Sequence, residues 1–157
     1  MVNNPAGYNG FAKLWSSRFC QAPVDFAGRL KQAPLQLVCF RVFHFMQLAI
    51  QIAGVLGFLG VALGAFGAHQ LATLLNANQT SSIWQTAVLY HLVHAVAALW
   101  AAGRNPTVVW IWAAGIVIFS GSLYLLAVTN IRWLGAITPI GGLLFLAGWL
   151  LVAIKPQ

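Results

Sequence analysis

The chain has 157 residues, of which 61% are hydrophobic and only 6% are charged. Because a soluble domain carries about 25% charged residues, this composition excludes an ordinary soluble protein and indicates an integral membrane protein. Eight lysines and arginines stand against a single acid, Asp25, but these bases flank apolar runs, which is typical of membrane anchoring and argues against nucleic-acid binding.

Residues 1–44 form a basic N-terminal extension without a sustained hydrophobic period. We predict that this extension is loosely ordered or lies at the membrane interface. It lacks the short apolar run and small-residue cleavage site of a secretory signal peptide. Its nearly acid-free composition also fits an organellar transit peptide, although serine and arginine are scarce. A native start at Met46, next to the first apolar run, is another interpretation.

Four uncharged apolar runs follow and make up a predicted transmembrane domain, residues 45–154. Each run has 20 to 23 residues, and at 1.5 Å per residue about 20 helical residues cross a ~30 Å hydrocarbon core. The fold class predicted from these runs is all-α, an integral membrane four-helix bundle. The predicted helices cover residues 45–67, 83–102, 107–128 and 133–154.

The ends of the runs carry capping residues and tryptophans. Ser82 with Gln85 forms a capping-box pattern, and Asn105 followed by Pro106 predicts an N-cap and a first helical residue. The tryptophans near predicted span ends indicate an aromatic belt at both interfaces; they are Trp84, Trp100, Trp110, Trp112, Trp133 and Trp149. The excess of basic residues on the N-terminal side predicts that both termini are cytoplasmic.

A glycine seam, GVLGFLGVALGAFGAH, occupies residues 54–69. Within it Gly60 and Gly64 form a GxxxG pair, which allows a second helix backbone to approach closely. In the fourth run, Pro139 should remove a backbone hydrogen bond and bend the helix. The predicted helix-packing positions are Gly54, Gly57, Gly60, Gly64, Gly67, Gly121, Pro139, Gly141 and Gly142.

Side chains that can form hydrogen bonds also occur at membrane depth, where polar groups often mark function. Counting 1.5 Å per residue from the outer ends of the runs places most of them about 6 to 15 Å below the outer boundary, with His69 at the rim. We call this set the polar layer. Its predicted members are His69, Tyr90, His91, His94, Ser120, Ser122, Tyr124 and Thr138.

His91 and His94 are three residues apart and therefore share one helix face. They fit a proton relay or ligand-binding pair, or else structural imidazoles that bond Ser120, Ser122 or Thr138 and fix which helices are neighbours. Zinc requires three or four protein ligands, so two histidines are too few, and we predict no metal and no cofactor. No acid is available to orient a serine–histidine pair, so no catalytic residue is predicted.

Four blocks together resemble the YgdD-like family of small inner-membrane proteins, a domain of unknown function. The blocks are ALGAFGAH (62–69), WQTAVLYHLVHA (84–95), FSGSLYLLA (119–127) and WLGAITPIGGLLFLAGWLL (133–151). The resemblance covers about residues 46–154 and implies a four-span membrane protein. It brings no established activity, cofactor or catalytic residue. Family members begin close to the position of Met46, so residues 1–45 depart from the pattern.

The leading hypothesis is a non-enzymatic structural or accessory component of the membrane, in contact with lipid and assembled as a homo-oligomer or within a larger complex. The alternative is a small oligomeric channel or carrier that uses the polar layer around His91. A third hypothesis is a histidine-based metal protein or enzyme. The expected location is the bacterial inner membrane, with an organellar membrane as the alternative.

Overall fold

The computed structural model describes the backbone of residues 32–154 and the side chains of residues 41–154. The predicted state of residues 1–31 lies outside the described residues. The described chain is helical throughout, with short connections. Its elements are α1 (Gln32–His69), α2 (Ala72–Ala77), α3 (Ser81–Ala102), α4 (Pro106–Thr129), a 3-10 helix η1 (Arg132–Ala136) and α5 (Thr138–Ile154).

Four segments are long and apolar enough to cross a membrane, which confirms the prediction of four spans. They are Arg41–His69, Ser81–Ala102, Pro106–Thr129 and Arg132–Ile154. The helix that contains the first span begins earlier than the predicted run, at Gln32. This start is compatible with the sequence because Pro34 falls in the first turn and no glycine or proline follows until Gly54.

Of the two helix starts predicted from capping residues, one is confirmed and one is wrong. α4 begins as predicted, with Asn105 at the N-cap and Pro106 as the first helical residue. α3 begins at Ser81 with Thr80 at the N-cap, so the predicted capping box at Ser82 is wrong. The Thr80 hydroxyl does not cap its own helix and instead donates to the Ala127 carbonyl of α4 at 2.8 Å. The start of α3 is therefore bonded to the end of α4.

The fourth span consists of two helices, because η1 ends at Ala136 and α5 begins at Thr138. Pro139 is the second residue of α5. A backbone N–H at that position has no intrahelical acceptor, so the missing N–H of proline costs no hydrogen bond there. The predicted bend inside a continuous helix is therefore wrong. Pro139 lies at a helix start, where its fixed φ is compatible with the first turn.

Two apolar clusters make up the core of the bundle. The larger contains Ala49, Ala53, Ala95, Ala98, Ala101, Ala102, Val108, Val109, Trp112, Ile116 and Phe145. The smaller contains Leu75, Trp84 and Ala127. The alanines of α3 recur every three or four residues along one face and let the neighbouring helices approach closely. Along α3 and α4, the buried polar side chains lie between the two clusters.

Two of the tryptophans assigned to an aromatic belt are core residues. Trp84 is 5% exposed and Trp112 is fully buried, so the belt prediction is wrong for both. Each indole N–H donates at 3.2 Å to a backbone carbonyl of another helix, Trp84 to Leu63 and Trp112 to Phe145. Hydrogen bonding across the bundle explains why these two side chains turn inward.

Candidate functional site

Glycines create the space that the two buried indoles fill. A Cβ atom at Gly67 of α1 would collide with the Trp84 ring, and one at Gly148 of α5 would collide with the Trp112 ring. Each missing side chain therefore allows an indole to lie against the helix and reach a carbonyl one turn away. Gly148 is a packing position that the sequence analysis missed, because a glycine and its partner tryptophan are far apart in the chain.

The glycine seam of α1 divides into two parts. A Cβ atom at Gly60 would lie 2.7 Å from Leu92 Cδ2, and one at Gly64 would lie 3.2 Å from Val88 Cγ1, so both glycines face α3. Gly54 and Gly57 have no such neighbour within 4 Å. Gly60 and Gly64 thus pack within the bundle, while the positions that a Cβ would take at Gly54 and Gly57 are open in the described chain.

Gly141 allows α5 to lie directly against the backbone of α4 at Phe119. A Cβ atom there would lie 2.7 Å from Phe119 Cβ and 2.8 Å from Phe119 Cα. At Gly142 the nearest atom, Phe119 Cδ2, is 3.8 Å away, which is an ordinary contact. Gly121 has open space beside it. Gly115 is absent from the predicted positions, and a Cβ atom there would lie 2.7 Å from the Phe145 ring.

His94 is held by both ring nitrogens. Its Nδ1 lies 2.8 Å from the Tyr90 carbonyl oxygen, and since a carbonyl can only accept, Nδ1 carries the proton. Nε2 is then an acceptor and receives the Trp149 indole N–H at 3.2 Å. The ring also stacks on Phe145, with centroids 3.6 Å apart and planes at 10°. His94 is therefore a neutral imidazole that joins α3 to α5 and has no free nitrogen for a ligand.

His91 differs because only one of its nitrogens has a partner. Nδ1 lies 3.3 Å from the Tyr124 hydroxyl of α4, while Nε2 is buried and has no hydrogen-bond partner in the described chain. The Leu56 carbonyl of α1 is near the ring but does not reach hydrogen-bond geometry. The side chain is 4% exposed, so Nε2 is shielded from solvent. An unsatisfied buried polar atom calls for an explanation.

The hydroxyls of the polar layer form short links between helices. Ser120 donates to the Ala87 carbonyl of α3 at 2.9 Å. Ser122 donates to the Phe119 carbonyl of its own helix, so its single proton is used and Thr138 is the donor in their 2.9 Å contact. These bonds do not involve the histidines, so the predicted pairing of the imidazoles with Ser120, Ser122 or Thr138 is wrong.

The two remaining members lie at the edge of the set. The Tyr90 side chain is 41% exposed and packs against Phe119, with ring centroids 4.7 Å apart. His69 is exposed at the last residue of α1, and no described residue hydrogen-bonds its ring. The polar layer is therefore a set of separate links, with no continuous hydrogen-bonded network through the described residues. Within the same residues, no three His, Cys, Asp or Glu side chains are grouped as metal ligands.

The loop before α3, residues 78–80, makes polar contacts with α4 that the sequence analysis missed. The Asn78 amide donates to the carbonyls of Ala127 and Val128 at 3.2 and 3.1 Å, next to the bond from Thr80 to Ala127. Gln79 between them has φ of 56°, a left-handed conformation that turns the chain. This loop satisfies carbonyls at the end of α4 that have no intrahelical partner. In the sequence, Asn78-Gln79-Thr80 matches only a short glycosylation pattern, which gives no sign of this contact.

The fold and its site define a multi-pass helical membrane protein in which most buried polar groups are used in contacts between helices. The chain belongs to the family described as Protein of unknown function (DUF423), whose model matches residues 63–142. That range contains every predicted member of the polar layer. The match, together with the relatives described next, confirms the resemblance to YgdD-like membrane proteins.

The chain is similar to bacterial membrane proteins over its helical region. It is 43% identical over 117 residues to UPF0382 membrane protein SH2409 of Staphylococcus haemolyticus, covering 70% of this chain and 95% of the relative. It is 40% identical over 118 residues to YwdK of Bacillus subtilis, covering 69% and 95%. It is 42% identical over 110 residues to the inner membrane protein YgdD of Escherichia coli K12, covering 65% and 83%.

No solved structure is significantly similar to the chain. The relatives and the four apolar helices show that this is a multi-pass protein of the cell membrane, embedded in a lipid bilayer. The names of these three relatives state no activity.

Proposed function

We propose that this protein is a non-enzymatic structural or accessory component of the membrane. The proposal is supported by the fact that most buried polar side chains are already hydrogen-bonded within the bundle. Both nitrogens of His94 and the hydroxyls of Ser120 and Ser122 are engaged in hydrogen bonds within the bundle. Hydrogen bonds between membrane helices average about 0.6 kcal/mol, so such groups define which helices are neighbours more than they stabilise the fold.

We further propose that both chain termini face the cytoplasm and that the bundle works within an oligomer or a larger complex. The orientation is supported by the distribution of bases, because Arg41 and Arg104 lie at one end of the spans and Arg132 lies at the other. The Arg104 guanidinium sits 4.6 Å from the centre of the Trp100 ring, an arrangement suited to an interfacial anchor.

The accessory role predicts a protein partner. The full chain, purified from native membranes in mild detergent, should co-migrate with another membrane protein at a constant ratio through two successive columns. An unrelated four-span protein treated in the same way should not carry that partner. A preparation that contains only this chain, alone or with its own copies, would contradict the accessory role.

A second candidate, a small oligomeric proton or solute carrier, is favoured by one observation. The unpartnered Nε2 of His91 is free to bind a proton or ligand, while Nδ1 stays bonded to Tyr124. In this case His91 would be the exchanging group, and Tyr124 would orient the ring. His94, the other buried histidine of the described spans, has both ring nitrogens bonded, so any relay would be limited to His91 and Tyr124.

Removing the His91 imidazole should decide this candidate. If the protein carries protons, His91→Gln in liposomes loaded with a pH-sensitive dye should lower the flux by about tenfold or more, since positioned proton-transfer groups contribute at least that much. Ser120→Ala is the matched control, because it removes a bond of the same layer without touching His91. Wild-type flux equal to that of empty liposomes, or unchanged flux in His91→Gln, would exclude the carrier.

A further inference from the structure

The helix α1 has two faces with heptad-like spacing, and only one of them packs within the bundle. The inner face is buried or half-buried and consists of Ala49, Ala53, Leu56, Gly60, Leu63 and Gly67. The opposite face, which we call the outer seam, is exposed along its whole length and consists of Gln47, Gln51, Gly54, Phe58, Val61 and Ala65. Its residues follow one another at intervals of 4, 3, 4, 3 and 4, the spacing of a helix–helix interface.

The outer seam carries two glutamines at membrane depth that have no partner among the described residues. The span Arg41–His69 is centred on Val55, so at 1.5 Å per residue Gln51 lies about 6 Å and Gln47 about 12 Å from the middle. Both side chains are exposed, and within residues 41–154 no hydrogen bond reaches either of them. A carboxamide facing acyl chains finds neither donor nor acceptor there, so this face is costly to leave against lipid.

We propose that the outer seam is the docking surface for a second copy of this chain. A carboxamide offers both a donor and an acceptor, so the same glutamine from two copies can form a reciprocal pair. A two-fold axis through the interface brings identical residues together. Gly54, one turn from Gln51 with no neighbour within 4 Å, lets the two backbones approach closely enough for that pair to form.

The other exposed faces do not call for a protein partner. α5 presents Leu143, Leu146 and Leu150, all more than half exposed, and acyl chains satisfy such side chains. The exposed Thr86 of α3 already donates to the Ser82 carbonyl of its own helix at 2.9 Å. Gln85 lies about one turn from the start of α3, close to water. The outer seam differs because its amides are deep and unpaired.

The homodimer is separate from the proposed accessory role, because it depends on the surface of α1 alone. Self-association and binding to a different protein are separate measurements, so failure of one does not decide the other. A chain that purifies without other proteins would remove the accessory role and leave the homodimer intact.

Energy transfer between donor- and acceptor-labelled full-length chains in liposomes tests the proposal. The wild-type chain should dimerise as the protein-to-lipid ratio rises. With Gln51→Leu, half-dimerisation should require about tenfold more protein per lipid. The reason is that an amide hydrogen bond between membrane helices changes the dissociation constant by up to about tenfold. Gln51→Asn, which keeps the carboxamide, should remain close to wild type.

Two further variants separate docking from folding. Gly54→Leu should abolish dimerisation while leaving helicity and the folded monomer intact, because the described bundle has no atom beside Gly54 to clash with. Thr86→Val, a polar-to-apolar change on another exposed face, should dimerise like wild type. The proposal would be overturned if energy transfer in the wild-type chain did not exceed that of randomly distributed chains. It would also be overturned if wild type, Gln51→Leu and Gly54→Leu reached half-dimerisation at the same protein-to-lipid ratio. Association that requires a different protein would overturn it as well.

Discussion

Replacing Gly141 with alanine is expected to destabilise the bundle by about 2 kcal/mol, within the range of overpacked cores. The added methyl group would enter the contact between α5 and α4, where its neighbours at 2.7 and 2.8 Å are the Cβ and Cα atoms of Phe119. These atoms belong to or adjoin the backbone, so they cannot move aside by a rotamer change. The two helices would have to separate instead.

Gly142→Ala is the matched control for this experiment. The nearest side-chain atom there is 3.8 Å away, so the methyl group fits. Alanine also favours a helix over glycine by about 1 kcal/mol, which should make Gly142→Ala neutral or slightly stabilising. Reversible unfolding in mixed micelles, followed by tryptophan fluorescence, measures both. Equal stability of the two variants would show that the close contact with Phe119 does not constrain the bundle.

His94→Ala should cost about 3 kcal/mol, the larger of the two effects. The substitution removes the ring that stacks on Phe145 at 3.6 Å and leaves a cavity between α3 and α5. It also deprives the Trp149 indole N–H of its acceptor. His94→Phe should recover part of the loss, because it restores the stacking surface without the two hydrogen bonds.

The same unfolding experiment applied to His69→Ala provides the control. The His69 side chain is exposed at the end of α1 and forms no hydrogen bond within the described chain. Its replacement should change the free energy of unfolding by less than about 0.5 kcal/mol, as is usual for surface positions. If His94→Ala and His69→Ala unfold alike, the aromatic and hydrogen-bonded surroundings of His94 do not stabilise the fold.

The four spans could be predicted from the sequence because length and hydropathy alone decide whether a helix can cross a bilayer. The same counting predicts a depth for each polar residue, and the structure buries four of them, His91, His94, Ser120 and Ser122. Their partners could not be predicted. Depth places a side chain along the membrane normal, but it does not specify which helices are neighbours or how each is rotated.

The errors have the same origin. Trp84 lies near a predicted span end, so it was assigned to an interfacial belt, but its burial depends on the space beside Gly67 on another helix. Ser82 begins a good capping pattern, yet Thr80 bonds to Ala127 and the helix starts earlier. Pro139 was placed inside a helix because hydropathy is continuous across residues 133–154 and does not show where a 3-10 helix gives way to an α-helix.

Several links between helices in this bundle end on a peptide carbonyl instead of a side chain, as with Trp84 on Leu63 and Ser120 on Ala87. Every residue type supplies that acceptor, so neither bond requires a particular side chain at position 63 or 87. The identity of the donor, in contrast, is essential to each bond. Statistical methods that infer contacts from correlated substitutions would not detect these bonds. Such methods need two side chains that change together, and here one partner is a backbone carbonyl.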